Sequence, residues 1–180
     1  MQAAFPKIDV LINNAADTSE VLFGERSYHD IAASVNANFG AVAFCTQAAL
    51  KLMDQGVMLF TGSIYGLPFG GNPTLALYSA SKAALHSYTQ SLRISLEETS
   101  VKVFELMPPL VDTEFSEMIG GSKGIQPSVV AMDLLKAFAN DEYEIHTGNT
   151  ANIYKLFLSS PAEALKAMNA NRKEILSAVQ

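Results

Sequence analysis

The fold class this sequence predicts is α/β, and three observations predict it. Short apolar runs ending in small or turn-forming residues recur along the chain, among them "IDVLIN" (8–13), "VMLFTGS" (57–63) and "VKVFELM" (101–107). Runs of this length and near-continuous hydrophobicity suit parallel strands buried on both faces. Long stretches with apolar residues at 3.6-residue spacing separate them. Strands and helices therefore alternate, which argues for a layered sheet with right-handed crossovers.

The elements follow in order. After the strand at 8–13, a helix is expected from about Tyr28 to Asp54. It carries Ile31, Val35, Phe39, Val42 and Leu50 as apolar positions, with Gly56 just beyond its end. The strand at 57–63 leads to a second helix, Leu77 to Thr99, striped by Leu85, Tyr88, Leu92 and Leu96. Beyond the strand at 101–107, "SEMIGGSKGIQ" (116–126) reads as a mobile loop. "PSVVAMDLLKAFAND" makes a third helix, with Pro127 near its N-terminus. "YEIHTG" (143–148) is a fourth strand and "SPAEALKAMNANRKEI" a fourth helix with a fraying polar end. There are no internal repeats. The first strand stands almost at the start of the chain, and no glycine-rich strand-to-helix turn precedes it. Its apolar edge, Ile8 to Asn13, is of the kind that proteins pair or cover.

Composition bounds the function. The 180 residues fit one domain, large enough to bury roughly 70% of the unfolded surface. Hydrophobic residues make up 49% and charged residues 17%, which is a globular rather than a disordered balance. A net charge of −6 argues against a general nucleic-acid binder. The N-terminal "MQAAFPKIDVLINN" is neither a signal peptide nor a membrane span, and no other segment reaches 18 apolar residues without a charge. A soluble, cytoplasmic protein is expected. The single cysteine, Cys45, reads as a buried helical thiol, and no disulfide can form within the chain.

Chemistry is concentrated in "LALYSASKAALHSYTQSLRISLEE" (75–98). Tyr78 and Lys82 lie at i and i+4, on one face of a helix. A free tyrosine has a pKa of about 10 and is roughly 0.1% ionised at neutral pH. A fixed cation within about 4–6 Å favours the phenolate and can lower that pKa by about 1–3 units, into the range useful for proton transfer. The pair alone is also a common accident of helical sequences. Ser63, fifteen residues earlier at the end of a strand and near Gly62, Gly66, Gly70 and Gly71, can reach the same crevice, or can simply cap its turn. "TGSIYG" is not a nucleophile elbow, since its order is G-S-x-x-G. His29, His86 and His146 show no paired spacing and read as surface or satisfied residues; no Cys/His cluster suggests a metal.

Taken together, "LINNAA", "NANFGAVAF", "TGSIYG", "YSASK" and "MPPLVDTEF", in this order and spacing, resemble the short-chain dehydrogenase/reductase family. The wording is most similar to its DltE-like bacterial oxidoreductases, and the likeness runs from Phe5 to about Asn169. It implies an NAD(P)-dependent oxidoreductase of small carbonyl or alcohol substrates, with Tyr78 as general acid/base. Lys82 would hold the nicotinamide ribose and depress the tyrosine pKa, and Ser63 would bond the substrate oxygen. Asn36 and Asn38 compete for a fourth role, orienting a water in a proton relay. Alignment favours Asn38, 25 residues after Asn13 and 40 before Tyr78.

Asn14, Ala15 and Ala16 would line the ribose side of the cofactor, Ala16 replacing a family glycine. Val111 and Thr113 are expected near the nicotinamide amide, and Pro109 stands where most of the family has glycine. The two long helices would form a homo-oligomer interface. What the resemblance does not find is the family's T-G-x-x-x-G-I-G turn for the pyrophosphate. Residues 1–180 would then be one partial NAD(P)-binding domain, the C-terminal portion of a Rossmann-type doubly wound parallel sheet. The first βαβαβ half, roughly 70–80 residues, would precede Met1, and "MQAAFPK" would be the last turn of a helix from it. The alternative is a truncated, catalytically inactive chain, at most an oligomerisation or interaction module, in which NAD or NADP binding is weakened or lost.

Overall fold

The computed structural model describes residues 7–18, 26–67 and 75–170. Among these residues four strands form one sheet in the order β1-β2-β3-β4: β1 Val10–Asn13, β2 Gln55–Thr61, β3 Ser100–Met107 and β4 Glu144–His146. Every neighbouring pair is parallel. Asn13 registers with Phe60, Thr61 with Leu106, and Met107 with His146, so the carboxyl ends of the strands lie along one edge.

The helices are α1 Tyr28–Val35, α2 Ala41–Leu50, α3 Ala76–Ser95, α4 Pro127–Ala139, α5 Asn149–Ser159 and α6 Pro161–Met168. Strand alternation divides the core between the two faces of the sheet. Met58, Phe60, Val101 and Val103 pack with Val42, Ala49, Leu85 and Leu92 of α2 and α3. Leu59, Phe104, Leu106 and Ile145 face the other way, against Ala137, Val130, Leu134 and Phe138 of α4. A third cluster joins Ile64, Leu67 and Met107 to Ile153 and Ala164 of α5 and α6. Because β2 and β3 are covered on both faces, their sequences are almost continuously apolar, as parallel strands require.

Several expectations change. The first long helix ends at Leu50 and is interrupted by one π turn, Asn36–Gly40, between α1 and α2. Cys45, expected to be buried, is exposed. Val42, Thr46 and Ala49 take the core-facing stripe of α2, and that turns Cys45 and Phe44 outward. The sequence reading also missed α5, whose residues it left between a strand and the last helix.

The segment read as a mobile loop holds two short 3₁₀ turns, Glu114–Ile119 and Gly121–Lys123. It is tied back through a bridge between Val111 and Ile125 and through the bond from the Ile125 N–H to the Leu110 carbonyl. Gly70, Gly71, the N-terminal "MQAAFP" and the polar end of the last helix lie outside the described residues.

Among the described residues β1 and β4 are the sheet's two edge strands, and β1 leaves Val10 55% and Ile12 59% exposed. Among the described residues, no helix is long and apolar enough to cross a membrane.

Candidate active site

The site is assembled where β1, β2 and β3 end and α3 begins. The backbone leaves β2 at Thr61 and turns at Gly62, and Ser63 then opens a 3₁₀ turn over Ile64–Gly66. The buried Ser63 hydroxyl accepts from the Tyr65 N–H at 3.2 Å, so the residue caps its turn as well as facing the crevice. Tyr78 lies in the first turn of α3 and is half-buried. Burial pushes its phenol above the ordinary tyrosine range; a hydrogen bond with the Ser63 side chain acts the other way, and the nearby Tyr65 adds to the rise. At rest the phenol therefore keeps its proton. Loss of water is the largest of these influences.

One turn further along α3, the Lys82 ammonium lies 5.5 Å from the centre of the Tyr78 ring. Lys82 is buried, and its Nζ donates to the Thr61 carbonyl at 2.6 Å. Burial pulls its pKa down to about 8, against the opposing pull of the Glu105 carboxylate. An ammonium has three donors, so beyond Thr61 it has more to offer a neighbouring diol. Thr61 also donates through its hydroxyl to the Asn14 Oδ1 at 2.8 Å, which brings the exposed end of β1 to the same place.

Asn38 is fully buried within the π turn. Its Nδ2 donates to the Asp17 carbonyl at 2.9 Å, and its Oδ1 accepts from the Asp17 N–H at 2.7 Å. The carboxamide thus clasps the loop that carries Asn14, Ala15 and Ala16. The backbone carbonyl of Asn36, the competing residue, accepts the Ala41 N–H that closes the π turn. On the far side, Val111 and Thr113 are partly buried at the end of β3. The buried Ser116 hydroxyl donates to the Val111 carbonyl and accepts from the Thr113 N–H at 3.3 Å, which fixes both residues in the turn.

The histidines divide. His29 is exposed; His146 stacks on Tyr154 at 4.3 Å, and burial holds it below the ordinary histidine range. His86 is buried, its Nδ1 2.9 Å from the Glu105 Oε2, and that carboxylate bond holds its pKa above the ordinary value. Glu105 is a functional candidate that the sequence reading missed. It occupies a core-facing position of the strand "VKVFELM", in line with Val101 and Val103, where strand alternation calls for an apolar side chain, and that mismatch was its only signal.

The arrangement can hold an oxygen-bearing carbon near a protonated phenol, a serine hydroxyl and a buried ammonium. A match to the short chain dehydrogenase family model covers residues 1–123. The chain is 32% identical, over 127 residues, to the uncharacterized oxidoreductase DltE of Bacillus subtilis (strain 168), a match covering 67% of this chain and 49% of that relative. A short chain dehydrogenase from Burkholderia cenocepacia J2315, solved in complex with NADP, is similar with a TM-score of 0.80 and 23% identity, over 92% of this chain and 72% of that one. A short chain dehydrogenase/reductase from Burkholderia phymatum, in complex with NAD, is similar with a TM-score of 0.74 and 20% identity, over 96% and 69%. The chain spans about half the length of the curated relatives it matches.

Proposed function

This chain belongs to the short-chain dehydrogenase/reductase family, and on that premise we propose that it takes part in nicotinamide-dependent reduction of small carbonyls or oxidation of the corresponding alcohols. The observation that carries the reading is the convergence of the Ser63 hydroxyl, the Tyr78 phenol and the Lys82 ammonium at the end of β2. In the reductive direction, Ser63 bonds the substrate oxygen and Tyr78 gives that oxygen its proton. The raised phenol pKa keeps the group protonated, which is the form in which it enters the reaction in this direction. The Lys82 ammonium beside the ring then returns a proton to the Tyr78 phenolate, and the amine left behind takes one up from solvent. Asn38, with its carboxamide committed to Asp17, acts by holding the 14–17 loop.

The donor set fits the nicotinamide end of a dinucleotide. Lys82 and Asn14 would meet the ribose, Ala15 and Ala16 would line it, and Val111 and Thr113 would face the carboxamide. The bound NAD or NADP would supply or accept the hydride. None of the described residues is assigned to the pyrophosphate.

Titration of the purified chain with NADPH and NADH, followed by fluorescence, tests the proposal. Saturable binding, with carbonyl turnover that is lost in Tyr78→Phe, supports it. A folded chain that binds neither cofactor overturns it for these 180 residues. A second reading, an interaction module that binds no cofactor alone, is favoured by one observation: α2 and α3 expose Phe44 (70%) and Ile94 (74%). Exposed aromatic and branched residues on long helices suit a second copy of the chain. Self-association without cofactor binding, lost in Phe44→Ser/Ile94→Ser, would support that reading.

A further inference from the structure

Glu105 is a carboxylate in the wrong place for a sheet core. It alternates with Val101 and Val103 on the face covered by α3, and it is fully buried. Two α3 side chains hold its Oε2: the His86 Nδ1 at 2.9 Å and the Thr89 hydroxyl, which donates at 2.6 Å. Its Oε1 is buried and has no hydrogen-bond partner among the described residues. Burying such an oxygen unpaired is costly, so where it points matters.

Gly62 locates it. A Cβ on Gly62 would lie 2.5 Å from the Glu105 Oε1, so the oxygen sits directly beneath this residue. Gly62 links Thr61, whose carbonyl accepts from Lys82, to Ser63. The unpaired oxygen, the buried ammonium and the serine hydroxyl therefore converge on three consecutive residues. Lys82 and His86 are also one turn apart on α3, so the helix that carries the proton-transfer pair also grips the carboxylate.

We propose that Glu105 is a positioning residue: held by His86 and Thr89, it supplies the buried counter-charge that keeps the Lys82 ammonium in place beneath Tyr78. The inference rests on the reading of Tyr78 and Lys82 as the proton-transfer pair. Lys82 has lost water, and a nearby negative charge restores part of the lost stabilisation. The other charged groups around the carboxylate are His86 and Arg93 from α3 and Glu144 and His146 from β4. Gln90 joins them, with its Nε2 3.2 Å from the His86 Nε2 and donating to the Glu144 Oε1 at 3.4 Å. The charge on His86 thus sets how much of the carboxylate is left for Lys82.

The test follows Lys82 itself, by NMR titration of the whole chain grown with isotope-labelled lysine, its signal assigned with Lys82→Arg. In the wild type, the Lys82 signal is expected to show a second inflection at the midpoint of His86; a single inflection overturns the proposal without any variant. Glu105→Gln is expected to lower the Lys82 midpoint by about one pH unit or more, and Glu105→Asp, which keeps the charge, to lower it less. Glu105→Met/His86→Leu removes the pair without leaving either charge alone, a change buried ion pairs often tolerate; it is expected to lower the midpoint as Glu105→Gln does. A folded variant lacking the carboxylate but with an unmoved Lys82 midpoint shows a merely structural pair and overturns the proposal. This titration can be read whether or not the chain binds NADPH, so its failure is distinct from failure of the proposed function.

Discussion

The Lys82 ammonium is hydrogen-bonded to the backbone carbonyl of Thr61 at 2.6 Å, inside the protein and one turn along the helix from Tyr78. A charge placed there carries a cost that depends on pH. The folded midpoint of Lys82 is about 8, below its ordinary 10.5. A base with a lowered midpoint weakens the fold while it is charged in both states, here below about pH 8. The penalty is relieved as pH rises from about 8 towards 10.5, at about 1.4 kcal/mol per pH unit. The stability of the wild type relative to Lys82→Met should therefore rise across that window, as measured by denaturant unfolding at a series of pH values.

His86 works in the opposite sense. Its folded midpoint is raised, chiefly by the Glu105 bond. The stabilisation from its proton should be fully present below about pH 6.5 and decline as pH rises through the higher folded midpoint. Thermal melts should show the wild type losing ground to Glu105→Met/His86→Leu over that rise.

Asn38 makes two bonds to the backbone of Asp17. Asn38→Ala withdraws both and should cost about 2 kcal/mol in urea unfolding. Amide exchange in the 14–17 loop should quicken more than exchange in β3, which the asparagine does not touch.

Gly62 leaves no room for a side chain. A Cβ would lie 2.5 Å from the Glu105 Oε1 and 3.1 Å from the Met107 Cγ. Gly62→Ala should destabilise the chain by about 1–3 kcal/mol, whereas Gly120→Ala, at φ 81° with open space around it, meets backbone strain alone. Paired unfolding curves, read with the His86 ring signals, should show the Glu105 contact disturbed only in the first.

Tyr78→Phe removes the phenol hydroxyl and keeps the ring. If the chain turns over a carbonyl, the rate should fall at least about 10²-fold while cofactor affinity changes little. A steady-state assay beside the fluorescence titration would show this split.

Much of this was legible one residue at a time. The i, i+4 spacing of Tyr78 and Lys82, and Ser63 at the end of a strand, are local patterns, and the structure brings the three together. Short apolar runs and period-3.6 patterning likewise marked the strands and the larger helices. Local patterning failed where the partner is distant in sequence. Cys45 and Thr46 are adjacent and similar in size, and only the docking angle of α2 turned the threonine inward. Asn38 finds its partner in Asp17, 21 residues away, and Glu105 in His86, 19 residues away.

By itself the sequence determined the α/β alternation, the family and the helical pairing of Tyr78 with Lys82, because helical periodicity, apolar runs and short motifs are written in neighbouring residues. The tertiary structure alone decided the electrostatic state of that pair. Burial keeps the proton on Tyr78 and loosens the one on Lys82, and the folding of β3 against α3 sets a carboxylate beneath Gly62. Those effects arise from lost water and from charges that meet only when the sheet closes, and no spacing along the chain encodes them.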